Sequence, residues 1–190
     1  MTTYPAFVQV LWKPLTLRRD VAVVLLGSWL VALAAQVTIP LQPVPITGQT
    51  FGVLLVGAAL GFRRGALALG AYLVQGVIGL PFFAGGAGGP ARLLGPTGGY
   101  LIGFVFAAAL VGALAERGWD RRFLSTLAAM ALGNLVIYAF GLPWLAQFVG
   151  WEKVAALGLL PFLPGDALKM LLAAVTLPAL WAWVGRRADR

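Results

Sequence analysis

Six apolar runs, at about Val21 to Val37, Thr50 to Phe62, Ala66 to Leu80, Gly98 to Ala115, Phe123 to Leu142 and Ala167 to Val184, occupy most of the 190-residue chain. Few folds can hold so much continuous apolar sequence. A bilayer core of about 30 Å takes about 20 residues of helix per crossing, and lipid admits only helices or closed barrels because every backbone polar group must be paired internally. Only 11% of residues are charged, against roughly 25% in a soluble domain. The expectation is therefore an all-α integral membrane protein, a bundle of six transmembrane helices. A cytoplasmic segment 1–20 precedes a membrane domain 21–185, and a tail 186–190 follows. The second run is too short to cross untilted at about 1.5 Å per residue, so it must lean on its neighbours.

The formal charge of +8 is carried by short clusters between the runs. Lys13, Arg18 and Arg19, then Arg63 and Arg64, then Arg117, Arg121 and Arg122, and finally Arg186, Arg187 and Arg190 fall on one side of a six-helix alternation. The other side has only Arg92 and Lys153. The positive-inside rule then puts both termini in the cytoplasm, and the clusters read as topology signals rather than a nucleic-acid surface. No secretory signal peptide is expected in the short N-terminal stretch before the first run.

Cys and His are both absent, which removes disulfides, thiolate chemistry, zinc or haem ligation by these residues and any His general base. No metal, no cofactor and no catalytic residue is expected. An aspartyl intramembrane protease needs two acids where the spans contain one. A channel needs polar rings through the full depth, whereas the inner halves here are almost wholly apolar.

The polar residues inside the runs gather at one level. Gln75, Tyr100, Asn134, Tyr138, Asp166 and Lys169 all fall toward the outer ends. Asp166 and Lys169 lie three apart on one helical face, just after Pro164 and Gly165. An ionisable pair in an apolar segment marks a site. The alternative is an N-capping Asp beside a Lys that snorkels to the interface. Small residues spaced by four, among them Ser28 and Ala32, permit close helix approach, and the first helix is the candidate for an external partner.

The outward loops differ from the inward ones. Residues 36–49 are uncharged and carry Pro40, Pro43 and Pro45, so they can pack over a cavity; residues 81–96 are rich in Gly and Pro and contain Arg92. Trp144, Phe148 and Trp151 suit an interfacial amphipathic segment in the third.

Four segments carry a resemblance. They are Ala35-Gln36 leading into Pro43-Val44-Pro45-Ile46-Thr47-Gly48-Gln49-Thr50, then Gly79-Leu80-Pro81-Phe82-Phe83, then Gly95-Pro96-Thr97-Gly98-Gly99-Tyr100, and residues 161–169. Together they resemble the BioY family, the biotin-binding S components of energy-coupling factor (ECF) transporters. The resemblance implies biotin capture at the outer membrane face of a prokaryotic cytoplasmic (inner) membrane. It also implies a membrane coupling subunit and two cytoplasmic ATPases as partners, met through Ser28, Ala32 and Ala35. The chain contains no G-x-x-x-x-G-K-[ST] phosphate loop, so ATP hydrolysis is left to the partners. The substrate-binding residues expected are Asp166, Lys169, Asn134, Tyr100, Gln49, Thr47, Gln75, Arg92 and Phe82. Transport without the ATPases, or capture of another small vitamin, are the alternatives.

Overall fold

The computed structural model describes residues 4–11 and 16–188, with side chains as far as Val184. Of the cations counted above, Lys13 and Arg190 lie outside the described residues, as do the side chains of Arg186 and Arg187. The elements are α1 (Phe7–Leu11), α2 (Leu17–Gln36), β1 (Thr38–Ile39), β2 (Ile46–Thr47), α3 (Gln49–Val77), α4 (Pro90–Leu94), α5 (Gly98–Ala115), α6 (Phe123–Val149), α7 (Trp151–Gly158) and α8 (Leu163–Ala188). Four of them, α3, α5, α6 and the 163–184 part of α8, are long and apolar enough to cross a membrane. Thr16 caps α2, its Oγ1 accepting from Arg19 N at 3.5 Å, so that helix starts before the expected residue 21. α8 likewise continues through the expected start of the tail.

The second and third apolar runs are one element interrupted at Gly61, whose φ of 81° lies in the left-handed region that side-chain-bearing residues avoid. The chain reverses there. A Cβ built on Gly65 would lie 3.1 Å from Gly57 Cα, and the Gln49 amide donates to the Tyr72 hydroxyl 23 positions away. A straight helix would separate those residues by about 12 Å and about 35 Å at 1.5 Å per residue. α3 is therefore two antiparallel arms, 49–60 and 62–77. Glu116 at the end of α5 caps the second arm, its Oε1 accepting from Phe62 N at 3.0 Å. This satisfies one of the N–H groups that a helix start leaves unpaired.

The core follows the arms. Val53, Ala58, Ala68, Leu69 and Tyr72 of α3 and Ala107, Ala108 and Val111 of α5 are fully buried. α3 packs on α2 and α5, α5 on α6, and α6 on α8. Outward, α2 exposes Leu26, Trp29, Leu30 and Leu33, and α8 exposes Leu168, Leu171, Leu172 and Val175. Such wide apolar faces suit lipid and would aggregate in water.

The residues expected to form the partner face on the first long helix are buried within this chain. Ser28 and Ala35 are 0% exposed and Ala32 is 7% exposed. They face inward: Gln75 Nε2 donates to Ser28 Oγ at 2.9 Å, and Trp29 Nε1 donates to Gln75 Oε1 at 3.1 Å. Small side chains here let α2 approach α3, so they serve the bundle's own packing. The same clasp takes Gln75 out of the site. α6 also departs from expectation, running through Pro143 to Val149, where the sequence suggests a stop at Leu142.

Candidate functional site

At one end of the bundle the β1–β2 hairpin, the segment after Pro81 and the starts of α3, α5 and α8 enclose a cavity. Its polar lining comprises Thr47, Gln49, Thr50, Arg92, Thr97, Tyr100, Tyr138, Asp166 and Lys169, and its apolar walls include Val44, Phe83, Leu101, Phe104, Ile137 and Phe162. Polar groups gathered at one part of an otherwise apolar cavity are the usual make-up of a small-molecule site.

The polar cluster is built on α8. Pro164 sits in its opening turn, where a missing N–H costs little. Asp166 N already donates to Phe162 O at 2.9 Å, so Asp166 lies inside that turn and is not the N-cap. Its carboxylate is freed to face the cavity and is only 4% exposed. Lys169 follows one turn on, 3.2 Å from Asp166 Oδ1. Its ammonium also donates to Thr50 Oγ1 at 2.8 Å and to the Thr47 carbonyl at 2.9 Å, which uses all three N–H donors. Thr50 passes its own hydrogen to Asp166 Oδ1 at 3.3 Å, and Tyr138 donates to Asp166 Oδ2 in a short bond. A buried ion pair recovers its desolvation cost only when its other donors and acceptors find partners, and here all three Lys169 donors and three of the carboxylate's lone pairs are engaged. The snorkelling alternative fails on geometry, because Lys169 turns inward to three partners.

Tyr100 enters from α5 and is held in a slot that only glycine leaves open. A Cβ on Gly141 would lie 2.4 Å from the Tyr100 ring, and one on Gly158 would lie 2.5 Å from its oxygen. Its hydroxyl donates to Gly158 O at 2.9 Å, and its ring meets Tyr138 edge-on, with centroids 6.4 Å apart. Behind the cavity, Thr47 Oγ1 donates to Gln49 Oε1 at 2.9 Å, and Gln49 donates onward to Tyr72.

Of the nine expected binding residues, the structure brings Asp166, Lys169, Tyr100, Gln49, Thr47 and Arg92 to the lining. Three stand elsewhere. Gln75 is the α2–α3 clasp described above. Phe82 turns away to stack on Tyr72 at 6.3 Å, and its neighbour Phe83 fills the wall instead. Asn134 is buried on α6 one turn from Tyr138, outside the lining, with its Oδ1 unpartnered among the described residues. Thr50, Thr97 and Tyr138 are the polar lining residues missing from the expected set. The signal for Thr50 was its place three residues after Thr47, and for Tyr138 its level beside the other polar residues.

The comparisons with known proteins follow the same lines. The model of the BioY family matches residues 8–186. A "Probable biotin transporter BioY" of Pyrococcus horikoshii is 42% identical over 157 residues, covering 83% of this chain and 93% of the relative. A "Biotin transporter BioY" of Rhizobium etli is 43% identical over 141 residues, 70% of this chain and 75% of that one. Among solved structures, the S-component for biotin from an ECF-type ABC transporter superposes with a TM-score of 0.74 at 28% identity, covering 88% of this chain and 95% of that one. A match along nearly the whole length, with the polar cluster on its opening turn of α8, places the chain in the BioY family.

Proposed function

We propose that this chain captures biotin at the outer membrane face and serves as the substrate-specific subunit of an ECF-type transporter. The observation that carries the reading is the neutral Asp166–Lys169 pair, cross-bonded to Thr47, Thr50 and Tyr138, at the polar part of an apolar cavity. Biotin's ring urea is neutral and offers two N–H donors and one carbonyl acceptor. Asp166 accepts from an N–H and Lys169 donates to the carbonyl, so a charged pair of zero net charge suits an uncharged group. Phe83, Phe104 and Phe162 wall the apolar ring. The exposed Arg92, at the edge of the lining, pairs with the carboxylate at the other end of the ligand.

Arg64 at the inner end of the second α3 arm is paired with Asp20 at 2.9 Å, and the Arg clusters lie at the opposite end of the bundle from the cavity. This supports six crossings, counting the α3 arms separately, with both termini in the cytoplasm of a prokaryotic cell. The chain has no phosphate loop, so a membrane coupling subunit and two cytoplasmic ATPases supply the energy. The test is equilibrium binding of labelled biotin to the purified chain alone. Saturable binding that thiamine and riboflavin leave undisturbed is expected; no saturable biotin binding would sink the proposal.

A further inference from the structure

Beyond the cavity, and sharing Pro45, Ala84 and Arg92 with it as common wall, lies a wider vestibule lined by Thr38, Pro40, Leu41, Gln42, Pro43, Gly85 and Pro96. Arg92 is the one charged side chain in that lining, and no carboxylate lies within ion-pair distance of it among the described residues. The vestibule walls are tied to the bundle. Thr38 and Ile39 pair with Thr47 and Ile46, while Gln36 Oε1 accepts from Gly86 N at 2.9 Å. Phe83 N donates to Ala87 O at 2.9 Å, and Gly89 N to Gly76 O at 2.8 Å. The vestibule is therefore a built passage rather than a gap between loose loops.

Resting on the biotin reading above, we propose that this vestibule is a subsite for the tail of biotin derivatised at its carboxylate, so that the chain binds uncharged biotin amides as well as free biotin. With the urea at Asp166 and Lys169, the carboxyl end of the ligand reaches Arg92, the boundary between cavity and vestibule. An amide there loses the negative charge but keeps a carbonyl acceptor for the guanidinium, and its alkyl substituent runs on between walls that, Arg92 aside, are uncharged and rich in proline, with Leu41, Ala84 and Gly85. Arg92 then sets the preference for the free acid, and the vestibule permits the extension. A positively charged tail is disfavoured by Arg92, so the class is amides of amines that carry no further charge. Because Arg92 is exposed, its charge is worth only a modest factor.

The experiment is displacement of labelled biotin from the full chain by unlabelled biotin and by the amide of biotin with n-butylamine. The amide is expected to compete about one-and-a-half- to fivefold more weakly than biotin, an exposed ion pair's contribution. Arg92→Gln is expected to weaken biotin by a similar factor and the amide less, closing the gap between them. Gln42→Trp, which narrows the vestibule alone, is expected to leave biotin within about twofold and to weaken the amide by at least about tenfold. The inference is overturned if biotin displaces the label and the amide does not at about a thousandfold excess. It is also overturned if Gln42→Trp leaves the amide untouched or weakens both competitors equally. If unlabelled biotin fails to displace, or the label itself never binds, the proposed function falls and takes this inference with it.

Discussion

Lys169 Nζ donates to the backbone carbonyl of Thr47 at 2.9 Å, joining positions 122 residues apart. One side chain thus fastens the opening turn of α8 to the strand that covers the cavity. On the reading proposed above, a ligand carbonyl that takes the ammonium's hydrogen would loosen this fastening and so couple occupancy of the site to the set of the 38–47 hairpin.

Removing one member of the pair leaves the other buried and short of a partner. Lys169→Met and Asp166→Asn are each expected to weaken biotin binding by about 2 to 5 kcal/mol, roughly 30-fold to several-thousand-fold. Tyr138→Phe, which deletes one donor to Asp166, is expected to cost about 1 to 3 kcal/mol. Glu152→Gln, an exposed change on α7, serves as the control. Isothermal titration of the purified variants checks all four; affinities within about threefold of the parent for both Lys169→Met and Asp166→Asn would place the ligand elsewhere.

The α3 reversal tolerates no added carbon on its inner faces. A Cβ on Gly112 would lie 2.4 Å from Gly61 C, and one on Gly57 would lie 2.7 Å from Ala108 O, both against backbone. Gly112→Ala and Gly57→Ala are each expected to cost about 1 to 3 kcal/mol, a fall of several degrees in detergent melting temperature. Gly70→Ala meets nothing within 4 Å and sits in a helix, so it should be neutral or raise the melting temperature slightly. Equal behaviour of the three variants would contradict the close approach.

Asp120, in the turn between α5 and α6, is 2% exposed, and its Oδ2 accepts from Trp181 Nε1. Burial raises its carboxyl pKa above the usual range, with the Trp181 hydrogen bond and the Arg121 charge opposing the rise. A raised native pKa means that the folded chain holds the proton more tightly than the unfolded one. The penalty from this group is absent below about pH 4, grows as pH climbs through the native value, and is complete above it. Asp120→Asn cannot ionise and still accepts from Trp181. Its melting temperature relative to the parent is expected to be more favourable at pH 7 than at pH 4. A difference independent of pH would show that Asp120 does not titrate in this range.

Crossing number is open to labelling, since the chain has no native cysteine. Cysteines at Leu94, 69% exposed on α4, and at the exposed Arg63 beside the α3 turn are expected to react with an impermeant maleimide from opposite sides of the membrane. Reaction of both from outside the cell would rule out a reversal at Gly61 on the inner face.

Hydropathy alone made the helical segments legible, and depth along each run made Asp166, Lys169 and Tyr100 legible as one level. Facing was not legible. Phe82 and Phe83 are adjacent and equally apolar, and Tyr72 packs on both, stacked at 6.3 Å on the first and edge-on at 5.6 Å on the second, yet only the second lines the cavity. Ser28, Ala32 and Ala35 fit a partner as well as they fit α3, because small-residue spacing reports that something comes close without naming it. Run lengths misled where a local rule met a tertiary one: Pro143 removes one backbone donor, yet α6 continues through it.

The twelve or so residues of the first α3 arm rise only about 18 Å, well short of a bilayer core of about 30 Å. Such a segment is a poor stop signal for insertion when it emerges alone. On the six-crossing reading proposed above, its partner arm follows immediately after Gly61, so the two would enter the membrane together as a hairpin, with Gln49 delivered to its partner Tyr72 during the same event. Biogenesis of the candidate site would then begin before α5 has been synthesised.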